Sequence, residues 1–230
     1  MGTKRKPNQR GEAVAADPVG EDRALVDALR RRAPQTASGV DELSARAAAR
    51  FADAAWRSGS ADVAYAWADS PFGPLLIAVS RRGLVRLSYP GHDHDRDLEE
   101  LARRVSPRVV ESPGATENVR RQLDEYFDGG RRSFDLAVDL SPVHGFGRRV
   151  LQATARIPFG SVRTYREVAT GAGNALATRA AGNALGANPV PIVVPCHRVV
   201  RTGGGLGGYT GGLERKETLL RLEGVLPGPA

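Results

Sequence analysis

Cys196 is the only cysteine in this 230-residue chain, and a histidine follows it directly in Asn188–Val200, NPVPIVVPCHRVV. A thiolate is the reactive form of cysteine, and an imidazole close by can take its proton. Residue types alone therefore allow a nucleophile with its base. A lone cysteine is otherwise most often a small buried hydrophobe. Pro189, Pro191 and Pro195 speak against that role, because they impose a stiff path with few ladder donors and predict an extended segment. Neighbours on an extended chain point to opposite faces, so Cys196 and His197 are not expected to touch, and proton transfer between them needs a water or a bend. A single cysteine also excludes a disulfide framework and a cysteine-rich zinc site. His92 and His94 form an HDH triplet with no further ligand nearby, and they read as a solvated turn rather than a metal site.

The charge says where a partner would bind. Residues 146–230 carry 11 Lys+Arg against 4 Asp+Glu, a net of +7, whereas residues 61–145 carry 11 against 14 and residues 1–60 carry 11 against 8. Most of these cations are arginines, whose planar fork suits phosphate. The last third is thus where a polyanion would sit. At 41% hydrophobic and 26% charged, the chain has globular composition. It has no apolar run near the roughly 20 residues of a bilayer-spanning helix, and residues 1–10 lack the apolar stretch of a secretory signal. A cytoplasmic protein without membrane contact is expected.

Three regions must position these groups. Residues 1–60, rich in Ala and Arg, read as a loosely attached extension, partly helical or disordered. Helical patterns run over Glu21–Arg32 and Asp41–Trp56, the second with Leu43, Ala47, Phe51, Ala54 and Ala55 on one face. Residues 61–142 read as a small α/β domain. It holds a hairpin (Pro71–Ser80 and Gly83–Tyr89), a helix at Asp95–Arg104, a strand at Arg108–Glu111 and a helix at Thr116–Asp128 stopped by Gly129–Gly130. Residues 143–230 read as helical, with helices at Gly147–Ile157, from the Thr164/Glu167 capping box to Gly171, and at Ala175–Leu185. The last two, around a glycine turn, make a helix-turn-helix candidate. The expected fold class is α+β: an N-terminal antiparallel sheet with helices, then a helical C-terminal domain.

The run PCHRVV, with NPVPIVV before it and Gly207-Gly208-Tyr209-Thr210-Gly211-Gly212 after it, resembles the O6-alkylguanine-DNA alkyltransferases (methylated-DNA–protein-cysteine methyltransferases). The likeness extends through IPFGSVRTY and ATRAAGNALGANP, and more weakly to PFGPLLIAVSRRGLVRL, covering about residues 63–224. It implies single-turnover repair: an alkyl group passes irreversibly from O6 of guanine in double-stranded DNA (O4-alkylthymine being a second substrate) to the protein's own cysteine, without cofactor. By this resemblance Cys196 is the acceptor, His197 takes its proton through a water, Glu223 orients that histidine and Asn188 supports the site. The target base must be flipped out of the duplex. Tyr165 then contacts the guanine, Arg179 fills the vacated stack, and the small Ala180, Ala181 and Gly182 let the helix approach the minor groove. Val199, Tyr209 and Thr210 line the pocket, with backbone groups reading the guanine edge. A monomer is implied, able to cluster on DNA.

Glu223 has independent support. On a helix at about Leu213–Glu223 it shares the arc of Leu219 and Leu220, so it faces inward at the unfavourable C-terminal end, where a buried acid needs a partner. His197 is the expected partner and Lys216, two turns away, the alternative. A carboxylate partner would raise the imidazole pKa. Three departures stand out: residues 1–60 match nothing in the family, the structural zinc of some relatives is not expected with one cysteine, and Thr210 replaces the commoner serine. Two other classes compete, a lesion binder without chemistry, which Cys196 opposes, and a regulator signalled by Cys196 alkylation.

Overall fold

The computed structural model describes Met1, Gly2 and residues 37–227 of the chain. The helical pattern at Glu21–Arg32 lies outside the described residues. Two compact units divide the chain, Met1–Arg46 and Ala47–Ala230. All that follows concerns the second unit, which α1 (Ala37–Ser58) enters with its C-terminal half.

That half belongs to the body, although residues up to 60 read as an extension from sequence. Ala52 is buried, Ser112 Oγ donates to the Asp53 carboxylate, and the Arg81 guanidinium lies 3.9 Å from the Trp56 ring centroid. The face that packs is therefore Ala52, Asp53 and Trp56. Phe51, which periodicity places on the apolar stripe, is 76% exposed. An alanine-rich helix has too little contrast between its faces for periodicity to choose the buried one.

The sheet is built from β1 (Val63–Ala68), β2 (Leu75–Ser80), β3 (Gly83–Ser88) and β4 (Val109–Glu111) in the order β3-β2-β1-β4. The expected hairpin is β2–β3, pairing Ser80 with Gly83 across Arg81-Arg82. The sheet is mixed, not purely antiparallel, because β4 pairs parallel to β1, with Val63 opposite Val109. Helix α2 (His94–Arg104) makes the crossover that a parallel edge strand requires. Helix α3 (Pro113–Phe127) starts three residues before the expected Thr116, since Ser112 caps it and Pro113 occupies the first turn. It lays Val119, Leu123 and Tyr126 on the core.

The second half is helical: α4 (Gly145–Thr154), α5 (Tyr165–Gly171), α6 (Thr178–Gly186) and α7 (Leu213–Leu222). The capping box forms as read: Glu167 N–H donates to Thr164 Oγ1 at 3.2 Å, and Thr164 N–H to the Glu167 carboxylate at 2.7 Å. Its two-residue strands β5 (Arg163–Thr164) and β6 (Val199–Val200) pair in parallel and tie the start of α5 to the segment after Cys196. The α+β class is observed. Among the described residues, no helix is long and apolar enough to cross a membrane.

Candidate active site

Cys196 opens a 3-10 turn, Cys196–Arg198, that runs into β6. The segment before it is coiled rather than extended as the prolines predict. Val194 N–H donates to Val190 C=O, Cys196 N–H to Val194 C=O and Arg198 N–H to Pro195 C=O, all at 2.8–2.9 Å. Ile192 takes a φ of 71°, a conformation costly for a β-branched residue. The reason is Asn188. Its Nδ2 donates to Val194 C=O at 2.8 Å and its Oδ1 accepts from Val190 N–H at 3.1 Å, so one side chain closes the turns that prolines cannot stitch. The same Nδ2 lies 3.1 Å from Cys196 Sγ. Cys196 and His197 do diverge, because successive residues of a 3-10 turn point about 120° apart.

His197 is fully buried, with Nε2 2.9 Å from Glu223 Oε1. An ionised carboxylate only accepts, so Nε2 carries the hydrogen and Nδ1 is left as the basic nitrogen of the neutral ring. Nδ1 is buried and has no hydrogen-bond partner among the described residues. Glu223, just past the end of α7, also accepts from Tyr126 Oη at 2.7 Å and from Arg198 Nε and Nη2 at 2.8 Å each. Lys216 does not reach it. Its Nζ donates instead to Val199 C=O at 2.6 Å and to Leu206 C=O.

These contacts set the protonation states. Burial would raise the Glu223 pKa, but the bonds from His197 and Arg198 outweigh it and hold the carboxyl at about 2. Burial lowers the His197 pKa, and the Glu223 contact does not make up the loss. The expected upward shift is thus reversed, chiefly by burial, with the Arg198 and Lys216 charges opposing a further cation on the ring. Burial pushes the Cys196 thiol up to about 11, against the Asn188 bond and the Lys216 charge. At neutral pH the site therefore holds a thiol, a neutral imidazole and an ionised carboxylate. Such a thiol needs a base to react.

Two cavities reach Cys196. One, of about 290 Å³, is walled by Tyr165, Gly182, Leu185, Gly208, Tyr209 and Thr210. The other, of about 180 Å³, runs from Asn188, Pro191 and Tyr209 toward Ser88 and Tyr89 at the end of β3. Thr210 Oγ1 donates to Gly186 C=O at 2.6 Å and bridges the loop to α6 between them. Tyr165 Oη donates to Gly208 C=O at 3.2 Å. Val199 is fully buried in β6 and lines neither cavity. Arg179 and Ala180 lie exposed on α6, and Arg179 makes no hydrogen bond or ion pair with the described residues, whereas Gly182 faces the larger cavity against the Tyr165 ring. His92 is exposed and His94 sits edge-on to Trp67 at 4.9 Å. No group of three His, Cys, Asp or Glu among the described residues could hold a metal ion.

Arg198 and Tyr126 are functional residues that the sequence reading does not single out, and Lys216, read there as the alternative partner of Glu223, holds backbone carbonyls instead. For Arg198 a signal existed, since an arginine beside a buried histidine must itself find a carboxylate. Tyr126 comes from α3 in the other half of the chain, and only the fold brings it to Glu223.

The family comparison agrees with this geometry. Residues 145–225 match the model described as 6-O-methylguanine DNA methyltransferase, DNA binding domain, and residues 63–140 match its ribonuclease-like domain. The chain belongs to the 6-O-methylguanine DNA methyltransferase family. It is 41% identical over 161 residues to a methylated-DNA–protein-cysteine methyltransferase of Methanosarcina acetivorans, covering 70% of this chain and 97% of that one. To its namesake from Mycobacterium tuberculosis it is 40% identical over 159 residues, covering 69% and 91%. The crystal structure of Mycobacterium tuberculosis OGT in complex with DNA superposes with a TM-score of 0.61 at 39% identity, over 70% of this chain and 92% of that chain. The hyperthermophilic archaeon Pyrococcus kodakaraensis supplies a more distant O6-methylguanine-DNA methyltransferase, at TM-score 0.51 and 28% identity, over 71% and 99%.

Proposed function

We propose that the chain repairs DNA by moving an alkyl group from O6 of guanine to Cys196, once per molecule. The observation that carries this reading is a buried thiol held by Asn188 beside a neutral imidazole, whose Nε2–H is fixed by an ionised carboxylate. Nδ1 of His197 takes the thiol proton through a water, and the thiolate attacks the alkyl carbon. The C–S bond forms as the C–O6 bond breaks, and its electron pair stays on the guanine, which takes up a proton. The product is a thioether, which has no S–S bond open to thiol exchange, so the cysteine is not regenerated and turnover ends there.

DNA is the partner, as it is in the solved complex of the Mycobacterium tuberculosis relative. Residues 143–230 supply the acceptor and the cationic surface, and residues 61–142 support them. The larger cavity, beside Tyr165 and Gly182, takes the flipped base, and Tyr209 and Thr210 close over it. Sequence-tolerant binding follows if α6 enters the minor groove, where base edges are degenerate. The chain acts as a monomer, with clustering along DNA open to sedimentation tests.

Incubation with an O6-methylguanine duplex, followed by intact-mass analysis, tests the reading. One methyl adduct per molecule is expected, mapped to Cys196, with none on Cys196→Ala. Several turnovers per molecule, or an adduct elsewhere, would refute it. Arg179 gives a separate expectation. It is exposed on α6, unpaired among the described residues, and its neighbours Ala180, Ala181 and Gly182 are too small to wedge a base stack. Arg179→Ala should slow transfer from duplex DNA about tenfold or more, since flipping costs a few kcal/mol, while reaction with free O6-benzylguanine changes little. Equal losses on both substrates would mean that the pocket itself is damaged.

A further inference from the structure

We propose that Tyr89, the residue just after β3, is a positioning residue for alkyl transfer: its hydroxyl holds Tyr209, the aromatic wall of both cavities that open on Cys196. The inference rests on the alkyl-transfer reading above. Tyr89 is 2% exposed, and its Oη lies 2.7 Å from Tyr209 Oη. No other hydrogen-bond partner of that hydroxyl exists among the described residues. Phenylalanine would fill the same apolar space, so the hydroxyl is worth burying only for its partner.

Tyr209 needs such a partner. It stands in GGYTGG, where flanking glycines offer no side chains to fix a ring. Thr210 anchors the loop to α6 on one side through Gly186 C=O. Tyr89 anchors it to the sheet on the other. The two rings meet edge-on at 6.2 Å and close around Gly211, where a Cβ would lie 2.7 Å from Tyr209 and 2.8 Å from Tyr89. Tyr89 is itself braced. Phe72 packs edge-on at 5.7 Å, and the Arg215 guanidinium sits 4.8 Å from its ring centroid. Arg215 then donates to Gly211 C=O and Pro90 C=O at 3.1 Å each, tying the loop to the residue after Tyr89. The phenol pair thus links the sheet to the Tyr209 loop, beside the bond from Leu87 N–H to Pro189 C=O at 2.8 Å that ties β3 to the segment before Cys196. Burial raises both phenol pKa values, so the pair keeps its protons throughout the range in which transfer can be measured.

The test is a double-mutant cycle of Tyr89→Phe, Tyr209→Phe and the double variant. Single-turnover rates are measured against the concentration of free O6-benzylguanine. Tyr89→Phe should raise the half-saturating concentration about threefold to tenfold, the worth of one hydrogen bond, with the limiting rate nearly unchanged. The double variant should be no worse than the poorer single one, because both remove the same bond. The ratio of wild type to Tyr89→Phe should be flat from pH 6 to 9. Unchanged half-saturation in Tyr89→Phe overturns the proposal, and so do losses that multiply in the double variant. Wild type that takes no alkyl group from an O6-methylguanine duplex overturns the alkyl-transfer reading and this inference with it. Wild type that does, beside an unaffected Tyr89→Phe, overturns only the latter.

Discussion

Glu223→Gln is expected to lower the melting temperature by roughly 6–20 °C and to slow alkyl transfer on the order of 100-fold. The stability loss follows from what the carboxylate holds. Four donors converge on its two oxygens: His197 Nε2, Tyr126 Oη, and Nε and Nη2 of Arg198. An amide of the same shape offers one acceptor oxygen and a pair of N–H donors. If the oxygen keeps His197, Tyr126 and Arg198 Nη2, the amino group is pressed against Arg198 Nε–H. Arg198 is 7% exposed and would be left as a buried cation without a counter-charge. Breaking such a pair from one side costs about 3–5 kcal/mol, and about 2–4 °C per kcal/mol applies to a domain of this size. The kinetic loss comes from His197, whose imidazolium, formed as it accepts the thiol proton, loses its counter-charge. Calorimetry and single-turnover assays well below the melting point separate the two effects. An unchanged melting temperature would mean that the Arg198 pair contributes nothing, and an unchanged rate would leave Glu223 with a purely structural role. Linkage gives the same sign. The Glu223 pKa is held at about 2, below its ordinary 4.5, so its stabilising contribution is full above pH 4.5 and is lost as pH falls toward 2.

The acceptor site was legible in the sequence because its parts lie close together along the chain. Asn188, Cys196 and His197 fall within ten residues, and Glu223 reads as an acid on the buried arc of a helix end. The capping box at Thr164 and the hairpin turn at Arg81-Arg82 were equally local, and both form as read. What failed depended on context. Prolines exclude a ladder but do not choose between an extended path and a string of turns, and here the Asn188 side chain chooses the turns. β1 went unassigned because Val63-Ala64-Tyr65-Ala66-Trp67-Ala68 alternates alanines, poor strand formers, with aromatics. Its place in mid-sheet comes from β2 and β4 on either side. Val199 sits within the motif with its side chain in the core, where β6 pairing with Arg163 holds it, so the burial of its side chain leaves a role at the base to its backbone alone. Tyr126 and Tyr89 were invisible for a simpler reason: their partners are 97 and 120 residues away.

The sharpest consequence of the protonation states is the pH profile of His197→Ala. With the thiol pKa raised to about 11, only about one Cys196 in ten thousand is thiolate at pH 7. On the proposed mechanism wild type avoids that penalty, because neutral His197 takes the proton during attack. Burial holds its pKa below the ordinary 6.5, so the wild-type rate should be level through neutral pH and fall only in more acid solution. His197→Ala should lose about 100-fold or more at pH 7. The variant then depends on thiolate alone, and its rate should climb by up to about tenfold per pH unit as the thiol ionises. Lys216 shapes that climb. Burial lowers its pKa to about 8, so above that pH its charge no longer favours the thiolate and the slope should flatten. The two profiles therefore converge toward high pH instead of running parallel. Glu223 remains paired with Arg198 and Tyr126 in this variant, so the fold should persist, as a melting curve would check. Parallel profiles over pH 6 to 10 would show that His197 shapes the pocket without moving a proton, and the thiol would then have to be activated by another group.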